Sequence, residues 1–440
     1  MAHAMPDLEK TEHVPAMTKT SGHASQPPKV FLHIGEPKTG TTFLQQVMWR
    51  NRDAVAAQGV VLPGHHPQDH FRASQDLRGI QKLASDPAGS WTGEWDILAT
   101  QARQAPRIAV ISHELFSAAD SAQAEHAVRS LEPAEVHIVI TVRDMASLLP
   151  AEWQETVKHR NSRAWEDWLA DVIDRESTSP DRRQWWFWRV HDTLAICDLW
   201  SQYVPADRVH LLTNPPREAG PELLWQRFAA LLEVDPDSVD VTRARANTSL
   251  GMPEIEFLRR LNAELSTEVP DWFYMWNIKE ALAHQTLAAR PVTGRLVLPE
   301  ERLGWAKEQA DTLIAGMRAS SYDVVGDLEE LLPRQSAQLP ASPGEHSAEQ
   351  VLDAAVQSAA ALVLNQYRKA NPAHRPQAAQ RGRSAAGRLG GLANRVESSV
   401  ASSPRLKRTV RELSSRHASV RKLRILAWRA FERSRARRKP

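Results

Sequence analysis

Residues 35–42, GEPKTGTT, combine two glycines, one lysine and three threonines within a short segment. Glycines let the backbone approach a ligand closely, and backbone amides together with a lysine ammonium bind phosphate-like anions. Gly35 and Gly40 have the separation of the glycines in a Walker A loop, but Thr41 stands where that loop has its lysine. The lysine lies inside the segment, at Lys38. The segment therefore predicts an anion-binding loop. Its lysine is displaced from the position at which a Walker A lysine binds a nucleoside triphosphate.

The residues on both sides of this loop predict the elements that position it. Residues 29–34, KVFLHI, form a continuous apolar run of strand type, and Phe43, Leu44 and Val47 follow at helical spacing. The loop would therefore join a strand to the start of a helix. Free backbone amides and the helix dipole favour an anion at such a helix start.

Further apolar runs predict more strands of the same sheet. They lie at residues 107–112, 136–142 and 208–213, and helical patterns separate them. Continuous apolar strands that alternate with helices indicate strands buried on both faces. We therefore expect an α/β fold, a P-loop-like parallel sheet with helices on both faces.

The loop is also similar in sequence to a known one. The run PKTGTTFL, from Pro37 to Leu44, resembles the 5′-phosphosulfate-binding loop of sulfotransferases that use 3′-phosphoadenosine 5′-phosphosulfate (PAPS). The residues before it, His33-Ile34-Gly35, resemble the bacterial branch of that family. Residues 245–251 and 321–328 resemble blocks of its actinobacterial-type members. The resemblance implies the sulfotransferase fold over residues 29–335 and PAPS as co-substrate, without a metal.

The same resemblance implies roles for the loop residues. Lys38 would contact the oxygen that bridges phosphate and sulfate, and this agrees with the chemistry. Sulfuryl transfer builds negative charge on the leaving oxygen, and a fixed ammonium stabilises that charge most in the transition state. The 5′-phosphate would be held by the amides and hydroxyls of Thr39, Gly40, Thr41 and Thr42.

A second landmark of the family is an arginine at a strand end, followed by a serine on the next helix, which bind the 3′-phosphate. Arg143 directly follows the apolar run 136–142, and a guanidinium suits a phosphate in charge and geometry. At the family's serine position this chain has Ala151. Ser147, one helical turn earlier, is the candidate substitute.

The acceptor must lose a proton as it attacks, so a histidine or carboxylate should lie near the sulfuryl group. His113 and Glu114 follow the apolar run 107–112, where the end of a strand would place them at the edge of the sheet. His70 is the third candidate for the base, from the histidine-rich segment 65–70. The histidines of that segment could also indicate a metal site, but the sequence shows no distant set of metal ligands to complete it. We therefore predict no metal.

Charge and composition divide the chain into an acidic body and a basic tail. Residues 368–440 hold 21 Lys and Arg against 3 Asp and Glu, whereas the preceding residues hold 34 against 50. We predict a disordered arm at 1–28, a sulfotransferase domain at 29–335, a linker with an Ala-rich helix at 336–403, and a basic amphipathic tail at 404–440. The tail suits an anionic membrane surface or a solvated extension, and nucleic acid ranks third.

Composition also limits the compartments and functions that we expect for this protein. Cys197 is the single cysteine, which excludes an internal disulfide and a thiolate zinc site, and residues 1–30 lack the apolar run of a secretory signal. We expect a cytoplasmic enzyme, peripheral at the inner membrane surface if the tail binds there. Its acceptor would be a hydroxyl- or amine-bearing carbohydrate, lipid or small molecule. The alternatives are a P-loop nucleotide kinase or NTPase and a noncatalytic membrane-surface binding protein.

Overall fold

The computed structural model describes residues 26–80, 91–174, 182–244, 249–265, 268–292, 294–334, 340–341 and 347–371. Most of the arm predicted at 1–28 lies outside these residues. The amphipathic helix predicted within the tail, 404–440, lies outside them entirely, as does the end of the predicted linker.

The strands of the described residues are β1 (Lys29–His33), β2 (Val60–Val61), β3 (Ile108–Ser112), β4 (Glu135–Val142), β5 (Val209–Thr213), β6 (Arg295–Leu296), β7 (Asp323–Val325) and β8 (Pro340–Ala341). The α-helices are α1 (Thr41–Arg50), α2 (Arg52–Ala57), α3 (Pro67–Leu77), α4 (Glu94–Arg103), α5 (Ser121–Ser130), α6 (Met145–Lys158), α7 (Trp165–Ile173), α8 (Arg182–His191), α9 (Thr193–Trp200), α10 (Glu222–Leu231), α11 (Met252–Glu264), α12 (Asp271–Tyr274), α13 (Glu300–Ala319) and α14 (Ala348–Ala370). A π-helix spans Met275–His284.

Six parallel strands form the main sheet, in the spatial order β2-β3-β1-β4-β5-β7. The α/β fold with a parallel sheet is therefore confirmed. β1 lies between β3 and β4, with His33 in register with Ser112 on one side and Val139 on the other. Ligands of such sheets bind outside the carboxyl ends of the strands, where the strand order reverses. Here that edge carries the loop after β1.

Helices cover both faces of the sheet because side chains alternate along each strand. In β1, Val30 and Leu32 belong to one core cluster, with residues of α4, α5 and α9. Phe31 belongs to a second cluster on the other face, with residues of α1 and α10.

A third core cluster is made mainly of helices. α6, α7, α11 and the π-helix pack around Trp153, Trp165 and Tyr274, all of which are buried. α6 follows directly from the carboxyl end of β4, so this helical layer adjoins the edge of the sheet that carries the loop.

The Ala-rich helix predicted within the linker lies in α14. It packs against α11, with Ala354 and Ser358 fully buried, and Arg290 pairs with Asp353 at 2.9 Å. This part of the predicted linker is therefore packed onto the body. None of the helices described above is both long and apolar enough to cross a membrane.

Candidate active site

The loop between β1 and α1 owes its shape to two residues in the left-handed region, Lys38 with φ 61° and Gly40 with φ 96°. That region is unfavourable for a side-chain-bearing residue such as Lys38, and residues held this way cluster at functional sites. Gly35 is required for a different reason: a Cβ there would lie 2.1 Å from Oγ1 of Thr141 on β4. The backbone of the loop therefore runs directly against the sheet and turns Lys38 outward.

The predicted phosphate-binding residues fall into two groups. The Thr39 hydroxyl is buried and donates to the Glu36 carbonyl at 2.5 Å, so the Thr141 hydroxyl donates to it at 2.7 Å. Thr39 thus stabilises the loop through its side chain. By contrast, α1 begins at Thr41 with no side-chain cap and no acidic residue in its first turn. Its first amides are therefore not capped by a side chain, and uncapped amides at a helix start favour an anion.

Lys38 contacts a carboxylate that sequence reasoning did not select. Its Nζ lies 2.5 Å from Oε2 of Glu155 on α6, and Nζ of Lys279 on the π-helix lies 2.7 Å from Oε1. Burial lowers the pKa of Lys38, but Glu155, Glu152 and Glu114 together raise it above its ordinary value, so the ammonium stays charged. Burial opposes the charge on Glu155 as well, yet Lys38, His159 and Lys279 hold its pKa well below the usual range.

Arg143 follows β4, as predicted, and lines a cavity of about 170 Å³ together with Glu36, Trp188 and Thr193. Its guanidinium has no hydrogen bond or ion pair with any residue that the structure describes. Burial lowers its pKa, Asp144 opposes that effect, and Arg217 adds to it. A cavity of this size is smaller than one that encloses a whole ligand, so it suits one group of a larger molecule.

Ser147 lies in the first turn of α6, which begins two residues after Arg143. Its amide donates to Oδ1 of Asp144 at 2.8 Å, which makes Asp144 the N-cap of the helix. Burial raises the pKa of Asp144, although Arg143 and Ser147 partly offset that effect. Ser147 is thus held by Asp144, the residue that follows Arg143.

His113 and Glu114 lie at the carboxyl end of β3, where the sequence places them. Nδ1 of His113 accepts from the Leu115 amide at 3.2 Å, so the neutral ring carries its proton on Nε2. Nε2 of Gln45 donates to Oε2 of Glu114 at 3.3 Å. Burial raises the pKa of Glu114, but His113, Gln45 and Lys38 together lower it below the usual range. Glu114 is therefore an ionised carboxylate within the field of Lys38.

His70 occupies a different environment from the other two candidates. It is buried, and its Nε2 donates to the Pro63 carbonyl at 2.8 Å while its Nδ1 accepts from the Ser112 amide at 3.1 Å. Burial lowers its pKa to about 4. Both ring nitrogens of His70 are therefore bound to backbone groups. The histidine-rich segment before it forms the start of α3, where His66 and Asp69 make a capping box.

A buried charged cluster, Glu36–His191–Glu152, holds the loop through Glu36, which is one of the loop residues. This cluster was not identified from the sequence. Glu36 accepts from the Thr193 hydroxyl at 2.5 Å and from Nδ1 of His191 at 3.3 Å. Nε2 of His191 lies 3.8 Å from Oε2 of Glu152, which is too long for a hydrogen bond, and neither atom has a hydrogen-bond partner among the residues that the structure describes. Burial lowers the pKa of His191, but the two carboxylates raise it to about 9.

Among the residues with described positions, no group of three His, Cys, Asp or Glu side chains is placed to hold a metal ion. Comparisons with protein-family models, with curated proteins and with solved structures find no match to this chain.

Proposed function

We propose that the protein transfers a sulfuryl group from PAPS to a hydroxyl or amine of an acceptor, using the P-loop-like sulfotransferase fold. One observation carries the proposal: two separate cationic sites lie at the same edge of the sheet. Lys38 lies in the loop just before the uncapped start of α1, and Arg143, which has no hydrogen-bonded or ion-paired partner among the described residues, lies at the end of the neighbouring β4. A nucleotide with phosphate at both the 5′ and the 3′ position requires two such sites.

The residues present fit this co-substrate. The first amides of α1 would hold its 5′-phosphate, and Arg143, with the cavity beside it, would hold its 3′-phosphate. Bound PAPS supplies the sulfuryl group. Lys38 would exchange Glu155 for the leaving oxygen, and Lys279 would remain to pair with Glu155.

Proton transfer is assigned to Glu114. The acceptor oxygen or nitrogen forms a bond to sulfur while the bond from sulfur to the phosphate oxygen breaks, and the acceptor proton goes to a base. His113 cannot take it at Nε2, because that nitrogen already carries the proton of the neutral ring. Glu114, whose pKa lies below the usual range, is ionised and accepts it. Lys38 stabilises the charge that appears on the leaving phosphate oxygen.

The test compares nucleotides that differ by single phosphates. Calorimetry on the full chain should give tighter binding for adenosine 3′,5′-bisphosphate than for AMP, by about tenfold or more, because a charge-assisted hydrogen bond contributes about 1.5–3 kcal/mol. Arg143→Ala should bring the ratio of the two affinities close to one. Arg129→Ala, which removes an exposed arginine of α5, is the matched control and should leave the ratio unchanged.

Two results would contradict the proposal. One is equal affinity of the wild-type protein for the bisphosphate and for AMP, which would leave Arg143 without its assigned ligand. The other is binding of ATP with Mg²⁺ as tightly as the bisphosphate, together with ATP turnover, which would favour the kinase or NTPase alternative.

A further inference from the structure

Three lysines surround the single carboxylate of Glu155. Lys38 and Lys279 bind it directly, at 2.5 and 2.7 Å, and Nζ of Lys158 lies 4.0 Å from its Oε2. Three different elements supply these lysines: the loop after β1, the π-helix and the last turn of α6. The group therefore has two more positive than negative charges, brought together from distant parts of the chain.

Lys158 is the least compensated member of this group. Its side chain is 8% exposed, and it makes no hydrogen bond to a described residue. Burial lowers its pKa to about 8, with Glu155 opposing and Lys38 and Lys279 adding to that effect. A buried cation without a hydrogen-bonded partner is unfavourable unless something else offsets the cost.

The group is recessed but still open to solvent. The side chains of Lys38, Lys279 and Glu155 are 17–19% exposed. A small anion can therefore reach the ammoniums, while their partial burial makes each contact stronger than on an open surface. Lys279 also lies in a π-helix, a rare geometry that is frequent at functional sites.

Lys38 has its own anion in the proposed reaction, and the other two lysines do not. When Lys38 turns to the co-substrate, Glu155 is the one carboxylate that remains paired with Lys158 and Lys279 among the described residues, and Lys279 also contacts His159. One positive charge is then unmatched beside the reacting group. We propose that Lys158 and Lys279 bind an acidic group of the acceptor, and that the acceptor is therefore an anionic hydroxyl or amine compound carrying a carboxylate, sulfate or phosphate. This inference rests on the proposed sulfuryl transfer for its substrate class, but the anion site itself stands on the lysine geometry.

The first experiment tests the anion site with inorganic sulfate as the probe. Calorimetry measures sulfate binding to the full-length protein, both alone and with adenosine 3′,5′-bisphosphate present in excess. Lys158→Met and Lys279→Met should each weaken sulfate binding by about tenfold or more, because each removes one charged donor. Methionine keeps the length of the side chain, so packing should persist. Lys307→Met, at an exposed lysine of α13, should change nothing.

The second experiment tests the acceptor class with two sugars that differ by one carboxylate, a neutral hexose and the matching hexuronate. The wild-type protein should transfer sulfate to the hexuronate with the higher kcat/KM, and both lysine variants should bring the ratio of the two values toward one. If the variants instead slow transfer to both sugars equally, the lysines act on the sulfuryl group and the acceptor assignment is wrong.

Failure of the anion site and failure of the proposed function are distinguishable. If sulfate affinity is the same in wild type, Lys158→Met and Lys279→Met, the anion site is refuted, whether or not the bisphosphate binds. If the bisphosphate does not bind but sulfate binding without nucleotide still depends on both lysines, the anion site stands and sulfuryl transfer fails.

Discussion

Replacing His191 by glutamine removes a buried cation that lies between two buried carboxylates, Glu36 and Glu152. Glutamine has a similar shape and can still donate to Glu36, but it carries no charge. Because Glu36 is the second residue of the loop that carries Lys38, the substitution also removes a support of the candidate active site. The expected result is a loss of stability that depends strongly on pH.

The magnitude follows from the raised pKa of His191. Its unfolded value is 6.5, and in the folded protein the two carboxylates, acting against burial, raise the pKa to about 9. At about 1.4 kcal/mol for each pKa unit, the difference corresponds to about 3 kcal/mol of unfolding free energy. Since the folded pKa is above the unfolded one, this contribution is complete below pH 6.5. It declines as the pH rises and is lost by about pH 9.

Urea denaturation of wild type and His191→Gln at pH 6 and at pH 9.5 measures this directly. The difference in unfolding free energy should be about 3 kcal/mol at pH 6 and close to zero at pH 9.5. His126→Gln, an exposed histidine of α5, is the control and should show little difference at either pH. A difference between wild type and His191→Gln that is the same at both pH values would refute a charged His191 between the carboxylates.

Three other substitutions or deletions have defined outcomes. Glu114→Gln should lower kcat by about 10²–10⁴ and leave the affinity for the bisphosphate unchanged. In wild type, protonation of Glu114 should reduce the rate only below pH 4.5, because the pKa of Glu114 is lowered. An unchanged kcat in Glu114→Gln would exclude Glu114 as the base. His70→Phe should lower the Tm, because two buried backbone groups lose their hydrogen-bond partners, at a cost of about 1–3 kcal/mol each. The kcat of this variant should stay within a few-fold of wild type. A large loss of kcat in a folded variant would restore His70 as a catalytic candidate. Deleting residues 404–440 should abolish sedimentation with anionic vesicles at low salt, because each cation of a surface-bound segment contributes about 1 kcal/mol to membrane binding. If the full-length protein does not sediment with these vesicles, the membrane interpretation is rejected.

Local sequence patterns predicted the elements that position the site, because each pattern lies within one segment. Continuous apolar runs identified β1, β3, β4 and β5 to within a residue at either end. β2 and β7 were not predicted, since strands of two and three residues offer too little pattern. Lys38 could be selected because it lies in the loop that follows a strong strand signal, and Arg143 because it directly follows another.

The remaining site residues depend on contacts between distant segments. Glu155 is 117 positions from Lys38 and Lys279 is 124 positions from Glu155, and nothing in the spacing of either connects them to the loop. His191 is equally remote from Glu36, at 155 positions. The direction of the Thr39 hydroxyl and the backbone bonds of His70 were also beyond prediction, because both are set by how β3 and β4 lie beside the loop.

The most direct test of sulfuryl transfer is the effect of Lys38→Met on turnover and on affinity measured together. Lys38 acts mainly on charge that forms in the transition state, so kcat for release of adenosine 3′,5′-bisphosphate from PAPS should fall by about 10²–10³. Affinity for the bisphosphate should stay within a few-fold of wild type, and Lys307→Met should match wild type in both measurements. A Lys38→Met protein that is folded, binds the bisphosphate and turns over PAPS at nearly the wild-type rate would contradict the account.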